Sequence, residues 1–402
     1  MRLVDLGGGG LVVSLSLASL AAIGCGSSGG AKGVGAIGDD DGGTGSTSGD
    51  NGGGSWATAD GGGVACPSAG AAPTTAARPD SVNYVAGVTV TTVAGGASAA
   101  NFTNPVGVVV EPSGSFLVSD FDDNLLVRAA ATGGAITPLT SQANFTRPYA
   151  LAYDGKRGIL YAQTDADPSG HHDHETTATI WTVDRGSGAA TALWPDVGDT
   201  RGMGVLSDGR VVLADRAHQV IWLVDPTAGT HQVLAGSLGC VGGADGTGST
   251  ATFTTPYGLA VLPDDSIVVA DYGLRTLRKV TTAGVVTTLA GDGGPAGTID
   301  GPGSSARFVN PQAVAADATG VVYVSDIGAH RIRRVGTDGT VMTLAGSGTA
   351  DFADGAGNVA DFYGGEGLAV SADGKTVYVA DGTAGSDTPG PYHRLRAITI
   401  GQ

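Results

Sequence analysis

Short apolar runs separated by polar turns recur along most of the chain. Residues 322–326 ("VYVSD") are mainly apolar and β-branched, and residues 331–335 ("RIRRV") alternate basic with apolar side chains. The first pattern is typical of a buried β-strand, and the second of a strand that exposes one face. Gly and Asp punctuate the runs, as in "GTDGT" at residues 336–340. The pattern therefore predicts short β-strands joined by tight turns.

This order of strands occurs six times. Residues 253–291 and 308–346 align from end to end, and both finish in "TLAG". A frame, D-G-x-G-x-x-A-x-F, leads into both segments and occurs again at residues 354–362. Each copy predicts four strands, and six such copies predict an all-β fold, a six-bladed β-propeller. The other four copies begin at residues 102, 145, 201 and 362.

The sixth copy ends after three predicted strands, at "RLRAITI". A spare strand, "VTVTTVAGG" at residues 88–96, stands before the first copy and matches the fourth strands of the others. Pairing this strand with the last blade would close the ring and remove an exposed sheet edge. The D-G-x-G frame would then link the outer strand of one blade to the inner strand of the next, with its Ala and Phe packed between blades.

The segments "VYVSDIGAHRIRRV" and "IVVADYGLRTLRKV" resemble NHL repeats, in which an apolar strand ends in Ala/Ser-Asp and a short loop leads to an alternating strand. The resemblance covers about residues 82–402 and implies an NHL-type six-bladed propeller closed by its N-terminal strand. It is weaker in the second and third copies. Because this fold carries sensors, scaffolds and enzymes, function has to be argued from a site.

An apolar run at residues 11–24 is too short to span a membrane but fits the hydrophobic part of a signal peptide. It ends in "AAIGC", so residues 1–24 resemble a bacterial lipoprotein signal peptide, which implies lipidation of Cys25; an ordinary cleaved signal is the alternative. Residues 25–81 are rich in Gly, Ser and Thr and predict a disordered, flexible tether to the propeller at residues 82–402. The expected location is the cell envelope: outer membrane, periplasm or cell surface.

Two cysteines remain beyond Cys25. Cys66 lies in the tether and Cys240 in the repeat region. Outside the cytoplasm they can pair and hold the tether against the propeller, or they can remain as free thiols. The sequence leaves both alternatives open.

The chain is acidic. It contains 21 Lys and Arg against 38 Asp and Glu, a formal net charge of −17. Such a surface repels phosphate backbones, so nucleic acid is not expected as a partner. The expected partners are a protein, a peptide or a glycan at the envelope, together with the membrane through the lipid on Cys25, and the expected state is a monomer.

One position at the start of each inner strand differs from blade to blade. Variation at a single position of a regular ring is what an asymmetric ligand pocket needs, and aromatic walls with polar ends are typical of such pockets. Simple filling of the central channel is the alternative. The residues assigned to this position are Val106, Tyr149, Met203, Tyr257, Gln312 and Glu366, and all except Val106 are candidate ligand-binding residues.

Two series of aspartates recur with the repeats. Each second strand ends in Asp, and we expect these carboxylates to accept backbone N–H groups in the following loop. The D-G-x-G frames contribute Asp245, Asp300 and Asp354, for which structural turns are favoured over calcium binding. The strand-end series is Asp120, Asp165, Asp215, Asp271, Asp326 and Asp381.

Histidines concentrate in loops that the topology places on one face. Imidazole and carboxylate groups suit zinc, so a divalent metal, zinc or calcium, is a candidate cofactor, although no cofactor is certain. A solvated insertion in the second blade and structural histidines in the other blades are the alternative. The candidate metal ligands are His171, His172, His174, His218 and His330.

The sequence therefore supports two functions. The first is a membrane-tethered extracytoplasmic propeller that binds a protein or another ligand on its loop face. The second is a propeller enzyme, either a metal-dependent lactonase or other hydrolase, or a lyase. For the enzyme, Tyr257, Glu366, His218 and His330 are the candidate acid, base or metal-binding groups. Convergence of three such groups on one point would favour the enzyme.

Overall fold

The described part of the chain forms six antiparallel sheets around a central axis. The structure is a computed structural model that describes residues 66–67, 76–96, 102–130, 133–171, 178–382 and 393–401. The first strands of successive sheets contact one another in a closed ring, so each sheet is one blade of a six-bladed β-propeller. This confirms the predicted all-β propeller.

The strands follow the repeat pattern, with an inner strand next to the axis and an outer strand at the rim of each blade. Short 3₁₀ turns lie at Gly248–Thr250, Gly303–Ser305 and Ile327–Ala329. In chain order the strands are β1 (Val88–Gly95), β2 (Pro105–Val110), β3 (Phe116–Asp120), β4 (Leu125–Ala129), β5 (Ile136–Pro138), β6 (Pro148–Asp154), β7 (Ile159–Thr164), β8 (Thr179–Val183), β9 (Ala190–Trp194), β10 (Thr200–Val205), β11 (Val211–Asp215), β12 (Val220–Asp225), β13 (Thr230–Ala235), β14 (Gly246–Thr247), β15 (Pro256–Val261), β16 (Ile267–Asp271), β17 (Thr276–Val280), β18 (Val285–Ala290), β19 (Pro311–Ala316), β20 (Val322–Asp326), β21 (Arg331–Val335), β22 (Val341–Ala345), β23 (Gly355–Ala356), β24 (Gly365–Val370), β25 (Thr376–Asp381) and β26 (Arg394–Ile400).

Burial follows from the position of a strand within its blade. The second strand of the third blade, β11, is buried at every residue, because both of its faces pack against other parts of the propeller. The outer strand β18 has exposed residues at several positions. Continuous Val, Ile and Ala runs therefore form the second strands, and mixed sequences form the outer ones.

The Ala and Phe of the D-G-x-G frame pack between neighbouring blades, as predicted. Phe253 contacts a cluster that contains Leu223 of blade 3 and Ile267 of blade 4, and Ala251 belongs to the same cluster. Equivalent clusters contain Phe308 and Phe362. Burial of such large apolar side chains is the main stabilising contribution to the contact between blades.

The N-terminal strand closes the ring. β1 pairs antiparallel with β26 over registers from Val88 with Ile400 to Gly95 with Arg394. It thereby supplies the fourth strand of blade 6, whose order is β23-β1-β26-β25-β24. The prediction that residues 88–96 complete the last blade is confirmed.

Residues 76–87, here named the N-terminal arm, lie along the rim of blade 5. The amide of Val85 donates to the carbonyl of Thr343, and the amide of Thr343 donates to the carbonyl of Asn83 (2.9 and 3.1 Å). Upstream, Cys66 and Cys240 form a disulfide with a Cα–Cα distance of 5.4 Å. Of the two alternatives that the sequence left open, the structure shows pairing.

The predicted signal peptide at residues 1–24, Cys25 and most of the predicted tether lie outside the described residues. Within the ranges that are described, no helix is long and apolar enough to cross a membrane.

Candidate ligand-binding site

Glycines allow the inner strands to approach each other closely at the axis. A Cβ atom on Gly258 would lie 2.2 Å from the carbonyl oxygen of Gln312, and one on Gly367 would lie 2.2 Å from that of Val106. A real Cβ cannot sit at such distances, so only glycine fits without displacing the neighbouring strand. Gly107 and Gly202 make the same kind of approach in blades 1 and 3. The residue before each of these glycines stands at the axis.

These axial positions carry six side chains, here named the axial ring. Arg201 belongs to it, because Thr200 pairs with Asp215 in the register that pairs Pro256 with Asp271. The sequence alignment assigned Met203 to this position, and that assignment is wrong. Met203 lies two residues further along β10, level with Leu259 of β15. The axial ring consists of Val106, Tyr149, Arg201, Tyr257, Gln312 and Glu366.

The polar members of the axial ring form one hydrogen-bond network. The hydroxyl of Tyr149 donates to Oε2 of Glu366 (2.6 Å). Nε2 of Gln312 donates to the same oxygen (2.9 Å) and to the Tyr149 hydroxyl (3.0 Å). The hydroxyls of Tyr149 and Tyr257 lie 3.1 Å apart. Side chains from blades 2, 4, 5 and 6 therefore meet at one point on the axis.

A cavity of about 70 Å³ opens at the ring and continues along the axis. At one level it is lined by Tyr149, Arg201, Tyr257 and Glu366, which are polar. Two residues further along the inner strands its lining is apolar. This second layer consists of Val108, Leu151, Met203, Leu259, Val314 and Leu368. The cavity thus has a polar end and an apolar end, as small-molecule pockets commonly do.

Arg201 is the cation of the ring. Its guanidinium forms ion pairs with Asp165 and with Asp199 (Nη2–Oδ1 3.5 Å), and it lies 4.7 Å from the centroid of the Tyr149 ring. Burial alone would lower the pKa of Arg201, but the two carboxylates raise it well above its usual value. Arg201 is therefore a permanent positive charge.

Burial raises the pKa of Tyr149 well above its usual value, and the charge of Glu366 raises it further. The Tyr149 hydroxyl therefore keeps its proton and acts as a donor. Burial also raises the pKa of Asp199, against the opposing effect of Arg201 and Arg216. The ring consequently holds a phenol that stays protonated at any ordinary pH.

Aromatic side chains extend the site across the loop face. Phe121, Tyr149, Tyr257 and Tyr272 follow one another with centroid separations of 6.0, 6.3 and 5.8 Å. Arginines from neighbouring loops stack on these rings, with Arg147 4.4 Å from the centroid of Phe121 and Arg216 5.5 Å from that of Tyr257. The rings of this face therefore already attract cations.

His218 and His330 lie in separate loops. Nδ1 of His218 lies 2.7 Å from Oδ2 of Asp215, and Nδ1 of His330 lies 3.0 Å from the carbonyl oxygen of Tyr363. Burial lowers the pKa of His330. Burial would also lower the pKa of His218, but the hydrogen bond to Asp215 outweighs it and the pKa is raised.

His171 is exposed beside Asp167, whereas His172 and His174 lie outside the described residues. Among the residues that the structure describes, no group of three or more His, Cys, Asp or Glu side chains is placed to hold a metal ion. A metal at these histidines stays a prediction.

Most of the strand-end aspartates bond to the chain before the inner strand. Asp271 accepts the amides of Thr254 and Thr255 (2.9 and 2.8 Å). The amide of Leu274 in the following loop also bonds to Asp271, as expected, but antiparallel pairing sets the start of the inner strand beside the end of the second strand and so adds donors from there. Asp215 does accept amides from its following loop. Asp120, Asp326 and Asp381 likewise accept amides from the chain before the inner strand.

The D-G-x-G aspartates bind buried arginines. Arg278 lies between Asp245 (2.7 Å) and Asp271 (3.8 Å), with its guanidinium 5.2 Å from the Phe253 ring. Asp245 also accepts the amide of Thr288 on the outer strand (3.0 Å). These contacts support the structural reading of the frame, and calcium binding there stays a prediction. The same arrangement surrounds Arg333 (Asp300, Asp326, Phe308) and Arg396 (Asp354, Asp381, Phe362).

The fold defines the class of the protein, a six-bladed β-propeller, the architecture that the resemblance to NHL repeats implied. No family model matches the chain. A stretch of 261 residues is 27% identical to the Protein SUPPRESSOR OF QUENCHING 1, chloroplastic, of Arabidopsis thaliana. That stretch is 60% of this chain and 24% of the plant protein, so the chain spans about a quarter of that relative.

Solved structures share the fold at low identity. An auxiliary nutrient binding protein from Bacteroides thetaiotaomicron is 15% identical with a TM-score of 0.60, over 77% of this chain and 76% of that one. A gluconolactonase from Xanthomonas campestris is 14% identical with a TM-score of 0.52, over 82% and 98%. At these identities the likeness shows the propeller fold alone.

Proposed function

We propose that this protein is a binding module that holds a small polar ligand at the axial ring. One observation carries the proposal: a position that is equivalent in all six blades bears side chains of different chemistry, and these converge over a cavity. A structural plug needs only apolar side chains of the right volume. The ring instead buries a carboxylate, an amide, two phenols and a guanidinium.

Burial of these groups has a cost that packing alone does not explain. Each polar group loses water when it enters the interior, and hydrogen bonds only recover that loss. Glu366 is buried and accepts hydrogen bonds from Tyr149 and Gln312. Its surroundings are therefore polar, not a hydrocarbon wall. A ligand that bonds to this set would gain both orientation and specificity.

The proposal includes a location. We place the propeller outside the cytoplasm, held to the envelope through a lipid on Cys25. The Cys66–Cys240 disulfide supports it, since disulfides persist in oxidising compartments. Two of the structural relatives are auxiliary nutrient binding proteins of Bacteroides, which fits the same setting. Cell fractionation of the chain beside its Cys25→Ser variant tests it: equal release from membranes would contradict the anchor.

The test of the ligand site is a thermal-shift screen of the full chain against sugars, sugar acids, amines, amino acids and short peptides. A compound that binds only the folded state raises the unfolding temperature. We expect the shift to be lost in Tyr149→Phe, which removes one hydroxyl from the ring. The matched control is Tyr153→Phe, the same change further along β6, where the Tyr153 ring instead stacks against Arg185.

Two outcomes contradict the proposal. One is a shift that survives in Tyr149→Phe as well as in Tyr153→Phe, which would place the ligand elsewhere. The other is no shift with any compound class, combined with higher stability on replacing Glu366 by Gln. That result would show that the ring only fills the channel.

A hydrolase or lyase is the second candidate. The observation in its favour is the pair of His218 and Asp215, in which the carboxylate holds Nδ1 of the imidazole and raises its pKa. Such a pair can act in general acid–base catalysis. The same screen separates the two candidates when followed by mass spectrometry, because an enzyme consumes its ligand. Elemental analysis of that preparation tests for metal at the predicted histidines.

A further inference from the structure

Hydrogen bonds within the axial ring converge on two oxygens, Oε2 of Glu366 and the hydroxyl of Tyr149. Nε2 of Gln312 lies 3.0 Å from the Tyr149 hydroxyl and 2.9 Å from Oε2 of Glu366, and because these two oxygens are only 2.6 Å apart, one N–H is shared between them. The single hydrogen of Tyr149 goes to the same Oε2. Since Tyr149 has no second hydrogen, the hydroxyl of Tyr257 is the donor in the contact between the two phenols. Oε2 of Glu366 thus receives Tyr149 and Gln312, and the Tyr149 oxygen receives Gln312 and Tyr257.

The ring consequently presents oxygens to a ligand. The carboxylate of Glu366, the amide oxygen of Gln312 and the phenol oxygen of Tyr257 are acceptors. Arg201 is the other donor of the ring, and Asp165 and Asp199 hold its guanidinium. A ligand that only accepts hydrogen bonds would have to compete with these pairs, whereas a ligand that donates meets acceptors.

The charges around the ring favour the same chemistry. Three carboxylates, Glu366, Asp165 and Asp199, face two guanidinium groups, Arg201 and Arg216. The phenol rings attract cations, as the stacked arginines show. The chain as a whole carries −17, so a cation is also steered toward the protein.

We infer that the axial ring binds a small organic ammonium ion, a primary amine whose three N–H groups donate to Glu366, Gln312 and Tyr257. This inference rests on the proposed function and names the class of its ligand. The cavity of about 70 Å³ limits the size. It is about half the volume that accommodates benzene, about 150 Å³. The ligand therefore has only a few non-hydrogen atoms.

Three probes of similar size test the inference by isothermal titration into the full chain. Ethanolamine carries an ammonium group, ethylene glycol is its neutral counterpart, and glycolate is its anionic counterpart. We expect saturable binding of ethanolamine and none of the other two. Glu366→Gln keeps the shape of the side chain and removes its charge, and it should weaken ethanolamine binding at least tenfold.

The matched control is Asp338→Asn, which removes one negative charge from an exposed turn of blade 5. It should leave ethanolamine binding unchanged, which separates local recognition from the net charge of the chain. Unfolding temperatures of both variants show whether each is folded.

The outcomes separate this inference from the proposed function. Binding of ethylene glycol or glycolate that is lost in Glu366→Gln would overturn the ammonium assignment and leave the axial site standing. Ethanolamine binding that is equal in Glu366→Gln and in the native chain would overturn the inference at this site. Absence of binding of all three probes, together with a failed thermal-shift screen, would overturn both.

Discussion

Asp120 is a buried carboxylate whose surroundings differ from those of its counterparts. In blades 4 to 6 the equivalent aspartate lies beside a buried arginine, but in blade 1 the equivalent position on β4 is Val127. Burial raises the pKa of Asp120 to about 6, against the amides of Thr103 and Asn104. The folded state therefore holds its proton more tightly than the unfolded state does, where the pKa is 3.8.

This gives a pH prediction. The stabilising contribution of Asp120 is complete below about pH 4 and is lost as the pH rises through about 6. Between pH 4 and 7 the native chain should lose about 1–3 kcal/mol more unfolding free energy than Asp120→Asn, which cannot ionise. Urea denaturation at several pH values measures the difference.

Asp338→Asn is the control for this series. Hydrogen bonds from Thr340 lower the pKa of Asp338, so its titration lies below the window and its removal should leave the slope unchanged. If the unfolding free energy of Asp120→Asn changed with pH as steeply as that of the native chain, Asp120 would not be the group that titrates.

At the residue scale, only part of the axial ring could be predicted from the sequence. Tyr149, Tyr257, Gln312 and Glu366 follow directly from aligned inner strands. Arg201 was missed because blade 3 has Thr200 where most blades have proline, and it lacks the preceding phenylalanine. The glycines of the inner strands were the available signal: aligning Gly202 with Gly258 places Arg201, not Met203, at the axis.

The inner strands depend on glycine where they cross the axis. At Gly258 a methyl group would overlap the carbonyl oxygen of Gln312, which is main chain and cannot rotate away. We expect Gly258→Ala to cost about 1–3 kcal/mol of unfolding free energy, the usual range for overpacking. The substitution should also weaken the binding of any axial ligand, since it displaces Gln312. Chemical denaturation and titration measure the two effects.

The control is Gly155→Ala, in the turn after β6. A Cβ there would meet only a ring carbon of Tyr153 at 3.8 Å, an ordinary contact. Its stability should stay within about 0.5 kcal/mol of the native chain. Equal effects of the two substitutions would mean that close strand approach does not limit the axis.

At the element scale, strand identity and order were predictable because the repeats preserve period-2 alternation and turn residues. The fourth strand of blade 6 was predictable from its likeness to the other fourth strands. The contact of the N-terminal arm with the edge of blade 5 was not predictable. Its sequence, "ARPDSVNYVAG" at residues 77–87, has no repeat counterpart, and its partner, β22, is far away in the chain.

For the whole molecule, the disulfide joins the segment before the arm to the link that follows blade 3. The arm then contacts blade 5, where Arg307 donates to the carbonyl of Ala76 (3.0 Å) and the Tyr84 hydroxyl donates to that of Gly346 (2.8 Å). Geometry of this kind cannot be read from a Gly-rich sequence around Cys66, which is why pairing stayed open at the sequence level.

We expect Cys240→Ser to lower the unfolding free energy by about 2–4 kcal/mol, because the cross-link restricts the unfolded chain. Limited proteolysis should also cleave the Cys240→Ser variant before residue 88 faster than it cleaves the native chain there. A reducing agent should reproduce both effects in the native chain and change nothing further in the variant. A native chain that is insensitive to reduction, with both thiols open to alkylation, would contradict the disulfide.

Closure of the ring by β1 and β26 also sets an order of events during folding. Blades 1 to 5 are built around hairpins of consecutive strands, which form from local contacts as the chain emerges. Blade 6 joins Val88 to Ile400, so it has to wait until nearly the whole chain has been synthesised. Contacts between such distant segments form slowly. The axial ring, which needs Glu366 of that blade, therefore assembles last, and a chain truncated before blade 6 would lack the proposed ligand site.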